Sequence, residues 1–127
     1  MPGVPAFILR RLYLKGSLHN RDDGWGFKLK NTLGAGYARG LIPVSVDGVE
    51  IPMEQSFFDN EGEETSFANV SEDNTFGLKL NREILIYFRA EPLDMGNRKI
   101  AMGFIVPGLG TLKFDFNDDV AKGGELG

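Results

Sequence analysis

The chain contains no cysteine, which excludes a disulfide framework, a thiolate metal centre and a cysteine nucleophile. Histidine is nearly as scarce. With His19 alone, a multi-histidine metal site is excluded and acid–base work has at most one imidazole. A surplus of one charge sign is also missing: the net charge is -4, with Lys and Arg scattered among the acids and no basic stripe. Nucleic acid is therefore not an expected partner. Long apolar runs are absent as well, the longest aliphatic or aromatic one being Ile84-Leu85-Ile86-Tyr87-Phe88, far short of the ~20 residues a membrane helix needs. The start, Met1-Pro2-Gly3-Val4-Pro5, has neither the basic nor the apolar part of an export leader. No membrane partner is expected, and a cytoplasmic location follows by default. Stretches free of both Gly and Pro are short, the longest being 63–76 and 78–91, which leaves little room for long helices.

What is present points to strands. Glycine accounts for 17 of the 127 residues, nearly double the usual share of about 7%, so turns are many and elements short. Phe27-Lys28-Leu29-Lys30-Asn31-Thr32-Leu33 and Thr111-Leu112-Lys113-Phe114-Asp115-Phe116 alternate apolar with polar, as half-buried strands do. In Val44-Ser45-Val46-Asp47-Gly48-Val49-Glu50-Ile51, a two-residue Asp-Gly loop predicts a type I′ hairpin with Val46 opposite Val49 and Val44 opposite Ile51. Residues 84–88 read as a central strand buried on both faces, with a helix as the rival. Residues 100–106 and 111–116 read as a closing hairpin across Pro107-Gly108-Leu109-Gly110.

Other segments are read less directly. Phe7 and Leu9 share one parity and Leu12, Leu14 and Leu18 the other, which predicts a bent first strand with a β-bulge at Arg10-Arg11. Residues 19–24 are expected as a polar turn, 25–33 as a strand, 34–40 as a loop, and 53–58 as a short strand. The expected fold is all-β: one antiparallel sandwich, jelly-roll-like or a small barrel, of about eight or nine short strands. The whole chain, 1–127, reads as one domain, with an N-terminal arm at 1–5 and a polar tail at 117–127 that caps one helical turn.

Candidate chemistry is thin. His19 in His19-Asn20-Arg21-Asp22-Asp23-Gly24 resembles a base–orienter pair with Asp22 or Asp23, but no serine in a nucleophile-elbow context completes a triad. Gly34-Ala35-Gly36-Tyr37-Ala38-Arg39-Gly40 resembles a phosphate loop, yet Pro43 follows where a helix would be needed. Its Tyr37 and Arg39 are residue types that favour ligands and subunit contacts. The acidic turn holding Asp59, Glu61 and Glu63 is a candidate calcium site, with a solvated charge cluster as its plainer reading. Asp115-Phe116-Asn117-Asp118-Asp119 opens like a calcium loop, but Val120 and Leu126 stand where its glycine and closing glutamate belong.

Trp25, beside Arg21, Asp22 and Asp23, is a candidate stacking platform for a sugar, and the competing reading buries it with Phe27 and Leu29. No cofactor motif emerges. The preferred function is a noncatalytic binding or assembly module that self-associates, because 11% aromatic content is heavy for a small domain and edge strands invite pairing. The alternatives are a small hydrolase or isomerase with carboxylates and Arg at a barrel mouth or subunit junction, and a module binding a glycan, another small molecule or calcium.

Overall fold

The computed structural model describes residues 4–121, so the first three residues of the arm and the tail from 122 lie outside the described residues. The fold is all-β, with twelve short strands among the described residues. They are β1 (His19–Arg21), β2 (Gly24–Lys30), β3 (Gly36–Ala38), β4 (Gly40–Leu41), β5 (Ser45–Val46), β6 (Val49–Glu50), β7 (Ser56–Asn60), β8 (Glu63–Ser66), β9 (Phe76–Leu78), β10 (Glu83–Arg89), β11 (Asn97–Val106) and β12 (Gly110–Asp119). One sheet has the order β1-β2-β10-β7-β8, and the second runs β12-β11-β5-β6 with β4 also paired to β11. A two-stranded ribbon joins β3 to β9. Every paired strand is antiparallel to its neighbour.

Alternation sets which face is buried. Trp25, Phe27 and Leu29 of β2 and Ile84, Ile86 and Phe88 of β10 point into one core with Ile100, Met102 and Phe104 of β11 and Leu112, Phe114 and Phe116 of β12. The sheets meet through aromatic edges and faces: Phe27 and Phe116 pack T-shaped at 5.3 Å. Such pairs add about 0.5–1.5 kcal/mol beyond their buried area. Every Phe except Phe7 and Phe57 is buried, so the aromatic surplus expected partly at an interface is mostly core.

Strand β10 is the central strand its apolar run predicts, paired to β2 on one side and β7 on the other. Its outward Tyr87 is also buried, at 6% exposure, beneath Arg21 and against Phe57. The Asp-Gly hairpin is present in the predicted register, Ser45 opposite Glu50 and Val46 opposite Val49. Asp47 and Gly48 have φ of 50° and 88°, the two positive values a type I′ turn requires. Glu61 and Gly62 repeat that turn between β7 and β8, with φ of 56° and 90°.

Several local expectations are corrected. The bent first strand is instead a helical turn, α1 (Ala6–Leu9), running into a 3-10 turn at Arg10–Leu12. The change of parity between Leu9 and Leu12 was the i, i+3 spacing of one helix face, and both side chains are buried. This segment lies along β12, where Arg10 Nε donates to the carbonyl of Asp115 and so covers an outward group of that edge. The 19–24 turn is a hairpin: β1 and β2 pair across a two-residue loop, Asp22-Asp23. The 34–40 loop contains β3 and β4, and the expected strand at 53–58 begins with a 3-10 turn at Met53–Gln55. Asn117–Asp119, expected to cap a helical turn, continue β12 opposite Asn97–Lys99. After it Ala121 donates to the Leu18 carbonyl and bridges His19 in parallel, which ties the end of the second sheet to the edge of the first. No helix among the described residues is long and apolar enough to cross a membrane.

Candidate functional site

The sequence-selected residues do not converge on one site. His19 is 2% exposed, and its Nδ1 lies 2.7 Å from the carbonyl of Ser17. A carbonyl only accepts, so Nδ1 carries the proton and donates, and the imidazole is oriented by backbone rather than by Asp22 or Asp23. Trp25 is 1% exposed and stacks on Phe88 at 4.2 Å, so the exposed stacking platform is corrected to a core indole. The physical reason is its parity with Phe27 and Leu29, which turns all three inward.

Arg21, Asp22 and Asp23 lie at the β1–β2 loop, where Arg21 Nε pairs with Asp23 at 3.2 Å. The Arg21 guanidinium also covers the Tyr87 ring at 4.5 Å. On the same outer face Arg89 sits 4.3 Å from the Phe57 ring and reaches both oxygens of Glu64 at 3.0 Å. Burial, and then the Glu64 carboxylate, push the Tyr87 phenol above its ordinary pKa. Each cation of this network is already paired, so it reads as a cover for the outer side of β10.

The acidic turn is likewise committed. Glu61 lies between Lys79 at 3.0 Å and Arg82 at 3.3 Å, and the Lys79 hydrogen bond and charge, followed by Arg82, hold its carboxyl below the usual range. Asp59 accepts the amide of Gly62 at 2.7 Å, and Glu63 stands across the hairpin opposite Asn60. No group of three His, Asp or Glu side chains suited to a metal is found among the described residues.

Tyr37 and Arg39 do lie at a distinctive place. They flank buried Ala38, so both side chains turn outward, and Tyr37 is 52% exposed. Below Tyr37 is a cavity of about 390 Å³ at one end of the sandwich. Ile8 and Leu9 of α1 form one wall, Phe104 and Val106 of β11 another, and Leu78 of β9 a third. Leu33, Tyr37 and Leu109 stand at its mouth, 37%, 52% and 48% exposed.

Among the described residues of its wall, Asn31, 2% exposed, is the one polar side chain besides Tyr37. Its Nδ2 donates to the carbonyls of Gly34 at 2.7 Å and Leu78 at 3.0 Å. Its Oδ1 accepts from the amides of Leu33 and Gly34. Asn31 thus shapes the loop that carries Leu33 and spends all its hydrogen-bonding capacity doing so.

Tyr13, just after the helical segment, packs that segment against β12. Its ring stacks on Phe116 at 3.6 Å, and its hydroxyl donates to Asp118 at 2.7 Å while accepting from the Leu18 amide at 3.2 Å. Burial, together with the bond to Asp118, pushes the phenol above its ordinary pKa. Burial opposes ionisation of Asp118, but Tyr13, the Gly16 and Asp119 amides and Lys15 outweigh it and hold that carboxyl below the usual range. The cavity was not read from the sequence because its walls come from segments far apart along the chain. The one local signal was an apolar residue, Leu109, in the middle of a Pro-Gly-Leu-Gly turn.

No curated protein matches the chain. The family model for the hydroxymethylglutaryl-CoA reductase N-terminal domain matches residues 8–121, from within α1 to the end of the described structure. The chain belongs to that family of N-terminal domains.

Proposed function

We propose that the chain is a noncatalytic assembly module that joins a second copy of itself through the apolar end of the sandwich. The observation that carries this reading is the shared mouth formed by Leu33, Tyr37 and Leu109, all substantially exposed. Exposed apolar side chains grouped at one place mark interaction surfaces, whereas single ones scattered over a surface do not. Arg39 beside Tyr37 adds a second residue type enriched at interfaces.

Pairing of sheet edges is the other route to self-association, and the fold blunts it. One edge of the second sheet, β12, is covered by α1 and Arg10, β1 is bridged by Ala121, and β8 begins with Glu63 and Glu64. The noncatalytic part of the reading rests on the wall chemistry. Among the described residues no acid or cationic side chain lines the cavity, and Asn31 is fully engaged with backbone, so the site favours burial of apolar surface over bond-making. The family description, an N-terminal domain of a reductase, fits an accessory module.

The test is the molar mass in solution, by size exclusion with light scattering at two concentrations. A multiple of 14.0 kDa is expected, reverting to 14.0 kDa in Leu109→Asp, whose side chain lies half exposed in a turn. A mass of 14.0 kDa at both concentrations for the parent chain would overturn the reading.

A further inference from the structure

The cavity beneath that mouth carries an inference of its own, which rests on this end of the sandwich being the working face. Its volume of about 390 Å³ falls within the roughly 300–1,000 Å³ of sites that hold small ligands. Among the described residues its wall has no ionisable side chain apart from the Tyr37 phenol, which stands at the solvent side with half its surface exposed. Deeper in, Asn31 has no donor or acceptor left to offer.

A ligand that brought a charge or hydroxyl to the base of this cavity would leave water and find no partner, and an unpaired buried polar group is costly. A hydrocarbon segment loses nothing by the same move and gains contact with Ile8, Leu9, Leu78 and Val106. The apolar wall offers water few hydrogen bonds, so displacing that water by an apolar group is favourable. A polar head group has a place only at the mouth, level with the Tyr37 hydroxyl. We propose that the cavity is a binding site for an alkyl or short acyl chain, inserted tail first with its head group held at the mouth beside Tyr37.

The experiment titrates the full chain with 1-octanol and with 1,8-octanediol, following the methyl carbon–proton signals of Ile8, Leu9, Leu78 and Val106. Saturable shifts confined to these methyls are expected with octanol. The diol, forced to bury its far hydroxyl, is expected to bind at least ten-fold more weakly. Ala35→Trp places an indole in the wall from an exposed position, and it is expected to weaken octanol at least ten-fold while leaving the other methyl signals unmoved. Failure of octanol to shift these methyls, or equal binding of octanol and diol, overturns the proposal whatever the behaviour of the variant. Light scattering on the same samples separates the two readings. A dimer that ignores octanol refutes the alkyl site alone, and a monomer that binds it refutes self-association alone.

Discussion

Replacing Tyr13 by Phe separates the ring from the hydroxyl at the joint between the N-terminal helical segment and β12. The ring and its 3.6 Å stack on Phe116 are retained, so the packing loss is small. Two hydrogen bonds go. The amide of Leu18, a fully buried residue, loses its acceptor, and Asp118 loses one donor while keeping the amides of Gly16 and Asp119. Leaving a buried amide unpaired costs about 1–3 kcal/mol, and Asp118 stays partly solvated, so a total of about 2 kcal/mol is expected at neutral pH. For a domain of this size that lowers the melting temperature by roughly 8 °C.

Urea denaturation at neutral and acid pH checks both the magnitude and its cause. The Asp118 carboxyl is held below its ordinary value in the folded chain. Its contribution is therefore complete above the ordinary Asp pKa of about 3.9 and is lost as pH falls through the folded value. Tyr13→Phe moves the folded value back toward 3.9, so the gap between parent and variant should shrink as pH drops below about 4. A loss under about 0.5 kcal/mol at neutral pH, or a gap that widens in acid, would refute the assignment of Tyr13 as the tie between the two segments.

Two further outcomes follow from the packing. In Gly26→Ala the new Cβ would stand 2.6 Å from the Ile86 carbonyl oxygen and 3.0 Å from the Tyr87 Cβ, both fixed in the central strand. A loss of about 1–3 kcal/mol is expected from calorimetry, and an unchanged melting temperature would show that β2 and β10 can part without cost. In alkali, Tyr13 and Tyr87 should stay protonated beyond the ordinary tyrosine pKa of about 10, because folding raises both. Since folding favours the protonated phenols, their contribution is complete below pH about 10 and is lost as pH rises toward the folded values. In a Tyr37→Phe background, phenolate absorbance should therefore rise together with loss of the β-sheet circular dichroism, and reversible ionisation of the two remaining rings near 10 with the fold intact would contradict their burial.

Much of the fold is legible along the chain where the signal is local. The Asp47-Gly48 loop specifies its own turn, because the two positive φ values fall on residues that tolerate them. Alternation in β2 and β12 and the unbroken apolar run in β10 each state which faces are covered. Misreadings arise where two periods share few residues. Phe7, Leu9, Leu12 and Leu14 fit a bulged strand as well as a helical turn, and the helical segment lies along the β12 edge. Short strands such as β1, β3 and β4 carry too few residues to show a period at all. Their pairing partners, in β2, β9 and β11, define them.

Local patterns along the chain specified short β elements with turns at Asp47-Gly48 and Pro107-Gly108, and composition excluded thiolate chemistry and multi-histidine metal sites. Periodicity and turn chemistry are properties of neighbouring residues, so they can be read in order along the chain. Packing turned Trp25 and His19 inward, committed Glu61 to Lys79 and Arg82, and brought α1, β9 and β11 around an open apolar cavity beside Tyr37. Those outcomes depend on distances between residues tens of positions apart, which are fixed only when the two sheets and the N-terminal segment pack together.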